Sequence, residues 1–298
     1  RTGINERRWI KDNSESTSSM ALEASKNAIA DAGIDKTEID FIIFATLSPD
    51  YYFPGPGVTL QKDLGLDTIG ALDVRNQCSG FVYALSIADQ YIKTGMYKNI
   101  LVVGSEYHSG GLDKSTKGRG VTVIFGDGAG AAIISKSPNA DRGILSTHLH
   151  SQGEFAEELT LTGPSTRRWV PEIIDGAGKD DEAIYPYMNG TFVFKHAVTR
   201  FPQVIGEALT QNNLKSTDIN LLIPHQANLR ISQFVQQKMG LRDDQVFNNI
   251  QKYGNTTAAS IPIALAEAKL AGKVKEGDLI CLAAFGSGFT WASALIRW

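Results

Sequence analysis

The feature that most constrains this 298-residue chain is an internal repeat at an offset of 180 positions. Residues 28–44 (AIADAGIDKTEIDFIIF) and 208–224 (ALTQNNLKSTDINLLIP) share a helical segment, a short polar link and an apolar strand. Two further pairs follow in order at nearly the same offset: 84–85 with 264–265, and 99–104 with 278–283. Three ordered pairs indicate two copies of one α/β unit.

The two copies differ where they begin. Residues 143–151 (GILSTHLHS) predict an opening strand for the second copy, and the first copy has no counterpart within the chain. We therefore expect about 30 to 40 residues of the first copy, a strand and a helix, to precede this sequence. A polar break at residues 135–142 predicts an N-terminal half over 1–139 and a C-terminal half over 140–298.

Near-continuous apolar runs predict strands in sheets that are covered on both faces. These runs are residues 41–45, 69–74, 100–103, 221–223 and 279–284. Helices packed between two sheets are predicted at residues 18–32, 81–94, 192–211, 229–239 and 256–271. The uncharged stretch 279–296 contains Gly286-Ser287-Gly288, which favours two buried strands and a turn over a membrane span. Residues 161–181, rich in glycine, proline and charge, predict an inserted surface loop.

The charge balance and the cysteine count argue against several classes of protein. With 29 basic and 32 acidic residues the formal charge is -3, which disfavours a general nucleic-acid-binding protein. Cys78 and Cys281 lie 203 positions apart without a CxxC pair, so neither a disulfide framework nor a zinc module is indicated. The predicted location is a reducing cytoplasm.

Cys78 stands at the joint between the predicted strand 69–74 and the apolar helix that follows it. Free amide groups and the positive dipole end at a helix N-terminus favour a thiolate, which an acyl-accepting nucleophile requires. A buried structural cysteine is an equally good interpretation of Cys78 taken alone. For Cys281, in the middle of an apolar strand, the structural interpretation is favoured.

His225 directly follows the predicted strand 221–223, at the carboxyl end where sites in α/β sheets gather. Taken alone, His225 is better interpreted as a structural loop histidine, and Asn255, before a helix, as an N-cap. The internal repeat makes a catalytic interpretation more favourable. Cys78 lies at the carboxyl end of the strands in the first copy, and His225 and Asn255 lie at the same end in the second copy. We expect the three side chains to meet across a pseudo-twofold interface, as in acyl transfer.

Two other patterns are interpreted as structural. Residues 126–130 (GDGAG) resemble a dinucleotide-binding loop, but a strand follows them where a phosphate loop opens a helix. We predict a tight hairpin turn there. His148 and His150 share one face of a strand without a third candidate ligand nearby, so a metal site is disfavoured.

Together these motifs resemble β-ketoacyl-[acyl-carrier-protein] synthase III, a family of condensing enzymes with a thiolase-like fold. The resemblance extends from Arg1 to Trp298. Its most specific pieces are Cys78-Ser79-Gly80-Phe81, 125–131 (FGDGAGA), 224–230 (PHQANLR), Tyr253-Gly254-Asn255-Thr256 and 284–291 (AFGSGFTW). The resemblance implies an α/β protein with two duplicated halves in a layered αβαβα arrangement.

The resemblance also implies the initiating condensation of type II fatty-acid synthesis. Cys78 would take an acyl group from coenzyme A, which serves as a substrate carrier and not as a cofactor. His225 and Asn255 would stabilise the enolate formed when malonyl-[acyl carrier protein] loses carbon dioxide. The backbone N–H groups of Cys78 and Ser287 would form a second oxyanion hole. The family loop usually reads Gly-Gly-Gly where this chain has Gly286-Ser287-Gly288.

Further site residues are implied by the same resemblance. The coenzyme A thioester would contact Arg1, Arg119, Phe194, Ala197, Asn228 and Ile231. The acyl pocket would involve Phe125, Phe285 and Phe53, with Phe53 reaching across a homodimer to the partner's pocket. The acidic acyl carrier protein would dock on a basic face formed by Lys195, Arg230 and Lys238.

Three alternatives stay open on the sequence. A related acyl-CoA-dependent synthase of specialised metabolism, with another acyl group or acceptor, shares the same three residues. A cysteine peptidase is suggested by Gln77-Cys78-Ser79-Gly80, although the repeat and the strand-to-helix position argue against it. A non-catalytic acyl-binding or scaffold protein of the same fold would be expected to lose the cysteine.

Overall fold

Each of the two predicted copies forms a four-stranded mixed sheet. The computed structural model describes residues 2–12, 14–176 and 182–298. The strands of the first half are β1 (Phe41–Ala45), β2 (Gly70–Val74), β3 (Asn99–Glu106) and β4 (Gly128–Ser135). Their order is β2-β1-β3-β4, with β1 parallel to β2 and to β3, and with β3 antiparallel to β4.

The second sheet repeats the β1-β3-β4 part of this order, lacks a counterpart of β2 among the residues that the structure describes, and adds the predicted opening strand. The strands of the second half are β5 (Gly143–Ser151), β6 (Leu159–Thr160), β7 (Tyr187–Met188), β8 (Leu221–Pro224), β9 (Leu279–Gly286) and β10 (Thr290–Arg297). The order β5-β10-β9-β8 makes β8, β9 and β10 the counterparts of β1, β3 and β4 in sequence and direction. β5 is the extra strand, paired with β10. β6 and β7 form a separate two-stranded ribbon.

The helices form layers on and between the two sheets. They are α1 (Thr17–Ala32), α2 (Pro56–Asp63), α3 (Gly80–Lys93), α4 (Arg119–Thr122), α5 (Val170–Gly176), α6 (Gly190–Gln211), α7 (Leu229–Met239), α8 (Ile250–Tyr253) and α9 (Ser260–Leu270). α3 and α9 pack between the sheets, α1 and α2 cover the outer face of the first, and α6 and α7 cover that of the second. No helix within the described ranges combines the length and apolar character needed to span a membrane.

Adjacent residues of β1 show why the predicted strands are apolar throughout. Ile43 points into the central core with Phe81 of α3 and Ile261 of α9. Ile42 points the other way, into the outer core with Ile29 of α1. Both faces of the sheet therefore need apolar side chains, and the predicted αβαβα layering follows.

Two matching turns lead into the central helices. A 3-10 turn at Gln77–Ser79 precedes α3, and another at Thr257–Ala259 precedes α9. The helix predicted from residue 256 therefore begins only at Ser260. Gln77 and Thr257, 180 positions apart, have left-handed φ angles of 41° and 50°. This conformation is unfavourable for side chains other than glycine, by about 1 to 3 kcal/mol, and it concentrates at functional sites.

The segment predicted as a surface loop is partly helical. α5 lies within it, where Ile173 is 9% exposed and its neighbour Ile174 is 71% exposed. The buried Ile173 packs beside Gly163, which gives the short helix one anchored face. Residues 177–181 of the predicted loop lie outside the described part of the chain.

The prediction of a tight hairpin turn at residues 126–130 is wrong. β3 ends at Glu106 and β4 begins at Gly128, so a long connection, not a turn, joins these antiparallel strands. The glycines permit close packing instead. A Cβ at Gly126 would overlap the carbonyl oxygen of Tyr253, and one at Gly130 would lie 2.8 Å from the nitrogen of Ile263.

Close packing of β3 against the second 3-10 turn generates a stability prediction. A Cβ at Gly104 would overlap the carbonyl oxygen of Ala258, whereas a Cβ at Gly206 in α6 would meet no atom within 4 Å. We expect Gly104→Ala to lower the free energy of unfolding by about 1 to 3 kcal/mol, as overpacked cores do. The control Gly206→Ala should raise it by about 0.5 to 1 kcal/mol, because glycine is unfavourable inside a helix. Urea denaturation measures both, and equal effects would contradict this packing argument.

Candidate active site

A cavity of about 830 Å³ opens at the carboxyl ends of β8 and β9. Cys78 from the first half lines it together with His225 and Asn255 from the second half. The three residues are only 6%, 3% and 6% exposed. The fold therefore brings the three predicted catalytic residues to one buried cavity.

Cys78 is held between the two halves of the chain. It is the middle residue of the turn Gln77–Ser79, directly before α3. The end of β9 approaches so closely that a Cβ at Gly286 would overlap the Cys78 side chain. The adjacent Ser79 hydroxyl donates to the carbonyl oxygen of Thr290 at 3.2 Å. The hairpin of the second half thus positions the cysteine of the first.

Burial opposes the thiolate that the helix start favours at Cys78. Burial, followed by the nearby Glu106 carboxylate, raises the pKa of the Cys78 thiol to about 12. Hydrogen bonds from the backbone N–H groups of Ser287 and of Cys78 itself lower this pKa, but they do not offset burial. These two N–H groups, which the family resemblance assigns to an oxyanion hole, both reach the sulfur.

His225 lies directly after β8, and burial lowers the pKa of its imidazole to about 3. Its Nδ1 lies 2.6 Å from the Ser260 hydroxyl, whose other neighbour is the Gln226 N–H at 3.3 Å. The Ser260 hydroxyl can donate to Nδ1 while it accepts this N–H, and in that arrangement the neutral ring carries its proton on Nε2. This atom is buried and has no hydrogen-bond partner among the described residues.

Asn255 presents a second neutral donor to the cavity. Its Oδ1 accepts the backbone N–H of Thr257 at 2.8 Å, which fixes the orientation of the amide and leaves Nδ2 to donate. Backbone hydrogen bonds with Ile124 and Gly126, at 2.9 and 3.0 Å, clamp Asn255 to the first half. Two such donors in a buried cavity can stabilise an oxyanion that develops between them.

Sequence reasoning missed two residues that support this arrangement. Glu106, at the end of β3, is fully buried, and burial raises the pKa of its carboxyl group to about 7. It accepts hydrogen bonds from the Ser48 hydroxyl at 2.5 Å and from the Ala258 N–H at 3.4 Å. An acidic residue that ends an apolar strand is the signal for Glu106. Ser260 has no such signal, because it lies 35 positions from His225.

The outer part of the cavity is lined by the β6–β7 ribbon, by the segment between the two strands of this ribbon, and by α6 and α7. Its residues include Lys117, Leu159, Tyr185, Tyr187, Met188, Phe194, Asn228 and Arg230. The Arg230 guanidinium lies 5.8 Å from the centre of the Phe194 ring, so a positive charge lies beside the apolar wall of the cavity. His148 and His150 lie outside this cavity and both contact Glu207, at 3.3 and 2.6 Å. No group of metal-ligating side chains is found in the part of the chain that the structure covers.

Comparison with known proteins identifies the family. Residues 72–153 match the family described as 3-oxoacyl-[acyl-carrier-protein (ACP)] synthase III, and residues 209–298 match its C-terminal part. The beta-ketoacyl-[acyl-carrier-protein] synthase III of Aliivibrio fischeri is 46% identical over 298 residues, which are 100% of this chain and 89% of that protein. The chain belongs to the β-ketoacyl-[acyl-carrier-protein] synthase III family.

Crystal structures of family members have the same fold. The synthase III structure from Aquifex aeolicus VF5 matches with a TM-score of 0.90 and 41% identity, and that from Thermus thermophilus with 0.88 and 37%. Both matches cover 100% of this chain and 89% of the other. The predicted thiolase-like fold is confirmed. The predicted activity is confirmed as well: the chain is a condensing acyltransferase that initiates fatty-acid synthesis.

The coenzyme A residues implied by the synthase III resemblance fall into three groups. Phe194, Ala197, Asn228 and Ile231 line the cavity. Arg119 is exposed and does not line it, although its neighbours Gly118 and Gly120 do. Arg1 lies outside the described residues.

The acyl-pocket and carrier-protein residues implied by the synthase III resemblance lie at different depths, from the inner cavity to the protein surface. Phe125 and Phe285 line the inner cavity, whereas Phe53 is 81% exposed and lies elsewhere on the surface. Arg230 lines the outer cavity, while Lys195 and Lys238 are exposed and do not line it. Lys238 stands in the last turn of α7, at the opposite end of that helix from Arg230.

The pKa values of Cys78 and of the buried Glu106 predict how the reactivity of the Cys78 thiol depends on pH. Because the thiol pKa is raised to about 12, alkylation by iodoacetamide should accelerate about tenfold per pH unit up to about pH 10 without a plateau. Glu106, with a pKa raised to about 7, ionises as the pH rises through that value and then opposes the thiolate. Glu106→Gln should therefore be alkylated faster than the unsubstituted protein above about pH 7, and equally fast below about pH 6.

Two controls accompany this measurement. Cys78→Ser reports alkylation of Cys281, and Glu276→Gln removes an exposed carboxylate that pairs with Arg142 instead. A plateau below about pH 9, or coincident profiles for the unsubstituted protein and Glu106→Gln, would contradict the assignment.

Proposed function

We propose that Cys78 carries the acyl group in the first half-reaction and that His225 and Asn255 act in the second. The observation that carries this proposal is the convergence of a thiol and two neutral donors on one buried cavity. A histidine with its pKa lowered to about 3 is a poor general base at neutral pH. Polarising a carbonyl group is therefore the role that suits His225.

In the first half-reaction the sulfur of Cys78 attacks the thioester carbonyl of an acyl-CoA. A bond forms between Sγ and the acyl carbon, the bond to the sulfur of coenzyme A breaks, and coenzyme A leaves as a thiol with the Cys78 proton. The backbone N–H groups of Cys78 and Ser287 stabilise the oxyanion on this path. The proposal needs no cofactor or metal ion, because the thioester is itself the substrate.

In the second half-reaction malonyl-[acyl carrier protein] takes the place of coenzyme A. The bond between the methylene carbon of the malonyl group and its carboxylate carbon breaks, and carbon dioxide leaves. The electron pair of this bond forms an enolate with the thioester carbonyl group. Nε2–H of His225 and Nδ2–H of Asn255 donate to the enolate oxygen, a type of contact worth roughly 3 kcal/mol each. The enolate carbon then attacks acyl-Cys78, and the released thiolate takes up a proton. The products are 3-oxoacyl-[acyl carrier protein], carbon dioxide and coenzyme A.

The alternatives raised by the sequence have less support. A synthase of specialised metabolism is not favoured, because the relatives that are 46% identical over the full chain are named beta-ketoacyl-[acyl-carrier-protein] synthase III. A cysteine peptidase does not fit a member of a condensing-enzyme family. A scaffold protein has no need of a buried thiol that shares a cavity with two side-chain donors.

We also propose a cytoplasmic homodimer. Tyr51, Tyr52 and Phe53 are 61%, 64% and 81% exposed and form an apolar patch of the kind that marks protein interfaces. The adjacent strand β2 is an edge of the first sheet in the described chain, and an open strand edge favours pairing with a second copy. The family resemblance gives Phe53 the role of closing the partner's acyl pocket. Both cysteines are free thiols, which suits a reducing compartment.

Separation of the two half-reactions tests the proposed roles. The unsubstituted protein incubated with acetyl-CoA alone should gain one acyl group, found on Cys78 by intact and peptide mass. His225→Ala and Asn255→Ala should keep much of this self-acylation. Both should lose release of carbon dioxide from malonyl-[acyl carrier protein] by about 100-fold or more, because each removes an enolate donor.

Two different results would contradict the proposed roles. Acylation of Cys78→Ala at another residue would refute the nucleophile. Equal loss of both half-reactions in His225→Ala would indicate a general base in place of a hydrogen-bond donor.

Docking of the acidic carrier protein is proposed at Arg230, with Lys195 and Lys238 as further candidates. Arg230 lines the outer cavity, and a local cation offsets the overall charge of -3. Arg230→Glu should raise the KM for malonyl-[acyl carrier protein] about five-fold at low salt, while acylation from acetyl-CoA changes little. The difference should shrink at about 1 M salt, where the Debye length is about 3 Å.

Charge reversal at Lys98 provides the matched control. Lys98 is exposed and precedes β3, at the opposite end of the sheet from the cavity. If Lys98→Glu raises the KM as much as Arg230→Glu does, net charge and not local docking is responsible.

A further inference from the structure

Ser287 places a hydroxyl group in the turn between β9 and β10. It stands between Gly286, the last residue of β9, and Gly288. Its φ angle lies outside the left-handed region, so the serine fits without backbone strain. The side chain of Ser287 is therefore free to make contacts outside the turn.

The hydroxyl group makes a short and specific contact. Ser287 Oγ donates to the carbonyl oxygen of Leu159 at 2.5 Å. On the other side of the turn, Thr290 Oγ1 donates to the Ser287 carbonyl oxygen at 3.3 Å. The side chain and the carbonyl group of Ser287 are both held in this way, while its N–H donates to the Cys78 sulfur.

Leu159 connects this contact to the wall of the cavity. β6 and β7 pair through Leu159 with Met188 and through Thr160 with Tyr187. Leu159, Tyr187 and Met188 all line the cavity, and residues 161–186 lie between the two ribbon strands. One hydroxyl group therefore links the turn beside Cys78 to the base of the inserted segment.

We propose that Ser287 is a positioning residue for the acylation of Cys78, because its hydroxyl holds the turn against Leu159 and keeps the Ser287 N–H aligned with the developing oxyanion. This inference rests on the proposed role of Cys78 as acyl acceptor. An N–H donor accelerates the reaction only while it is preorganised, and complete removal of such a donor costs about 100- to 1,000-fold in rate. Loss of the tether leaves the N–H in place and forfeits part of that factor.

The half-reactions separate this role from a structural one. Alignment with the oxyanion acts in the transition state, so its loss lowers the maximal rate and leaves substrate binding unchanged. Decarboxylation of malonyl-[acyl carrier protein] depends on His225 and Asn255 in the proposed mechanism. That reaction does not use the Ser287 N–H, whereas a general loss of structure would slow both reactions.

The test measures single-turnover acylation of Cys78 by acetyl-CoA, with rapid quenching and intact mass, in Ser287→Ala and Ser287→Gly. Ser293→Ala is the matched control, because Ser293 lies in the same hairpin and its hydroxyl donates to a carbonyl oxygen, that of Val204, at 2.9 Å. We expect the maximal acylation rate to fall about 3- to 30-fold in both Ser287 variants. The half-saturating acetyl-CoA concentration, carbon dioxide release and the rates of Ser293→Ala should change less than about twofold.

Unchanged acylation in Ser287→Ala and Ser287→Gly, with normal acylation of the unsubstituted protein, would overturn this inference alone. It would also be overturned if carbon dioxide release fell as far as acylation, or if Ser293→Ala lost as much activity as Ser287→Ala. Absence of acyl-Cys78 in the unsubstituted protein would overturn both this inference and the proposed function.

Discussion

The fold and its cavity depend on the close approach of strand ends to helix-initiating turns across the two halves. Gly286 at the end of β9 packs on Cys78, and Gly104 in β3 packs on the carbonyl group of Ala258, at distances that leave no room for a Cβ. Cys78 and Ala258 are 180 positions apart, so the repeat relates the two turns that these glycines approach. Each half thus packs against the turn of the other, with α3 and α9 in one shared core. This reciprocal packing places the cysteine of one half beside the donors of the other.

The repeat is symmetric in its backbone and asymmetric in its chemistry. Glu106 and Gly286 stand 180 positions apart, at the ends of the matching strands β3 and β9. Gly286 has no side chain, and it lines the cavity together with Cys78. Glu106 instead fills the matching space beside Ala258 with a carboxyl group that accepts hydrogen bonds from Ser48 and from the Ala258 N–H. The duplicated frame thus has an open cavity at one turn and a buried hydrogen-bond network at the other.

Periodicity and the repeat predict much of this structure. Three predicted elements, Phe41–Ala45, Gly143–Ser151 and Leu229–Met239, have the observed bounds, because their apolar patterns end at clear polar or glycine signals. The sequence-based predictions are wrong or incomplete where contacts between residues far apart in sequence determine the structure. The glycines at residues 126–130 serve contacts with a segment more than 100 positions away, and Ser260 meets His225 only in the fold. At Cys78 the helix start is visible in the sequence, but the burial that outweighs it is not.

Burial determines the charge state of the whole site before any substrate binds. It raises the pKa of Cys78 to about 12 and lowers that of His225 to about 3, so both groups are neutral at physiological pH. Beside these two neutral groups, the reaction creates charge on the thioester oxygen during acyl transfer or on the enolate after decarboxylation. Fixed N–H donors interact far more strongly with that charge than with a neutral carbonyl group, and the low dielectric increases the difference. Under the proposed mechanism the cavity favours transition states over bound substrates, because its donors are neutral and held in place by contacts between the two halves.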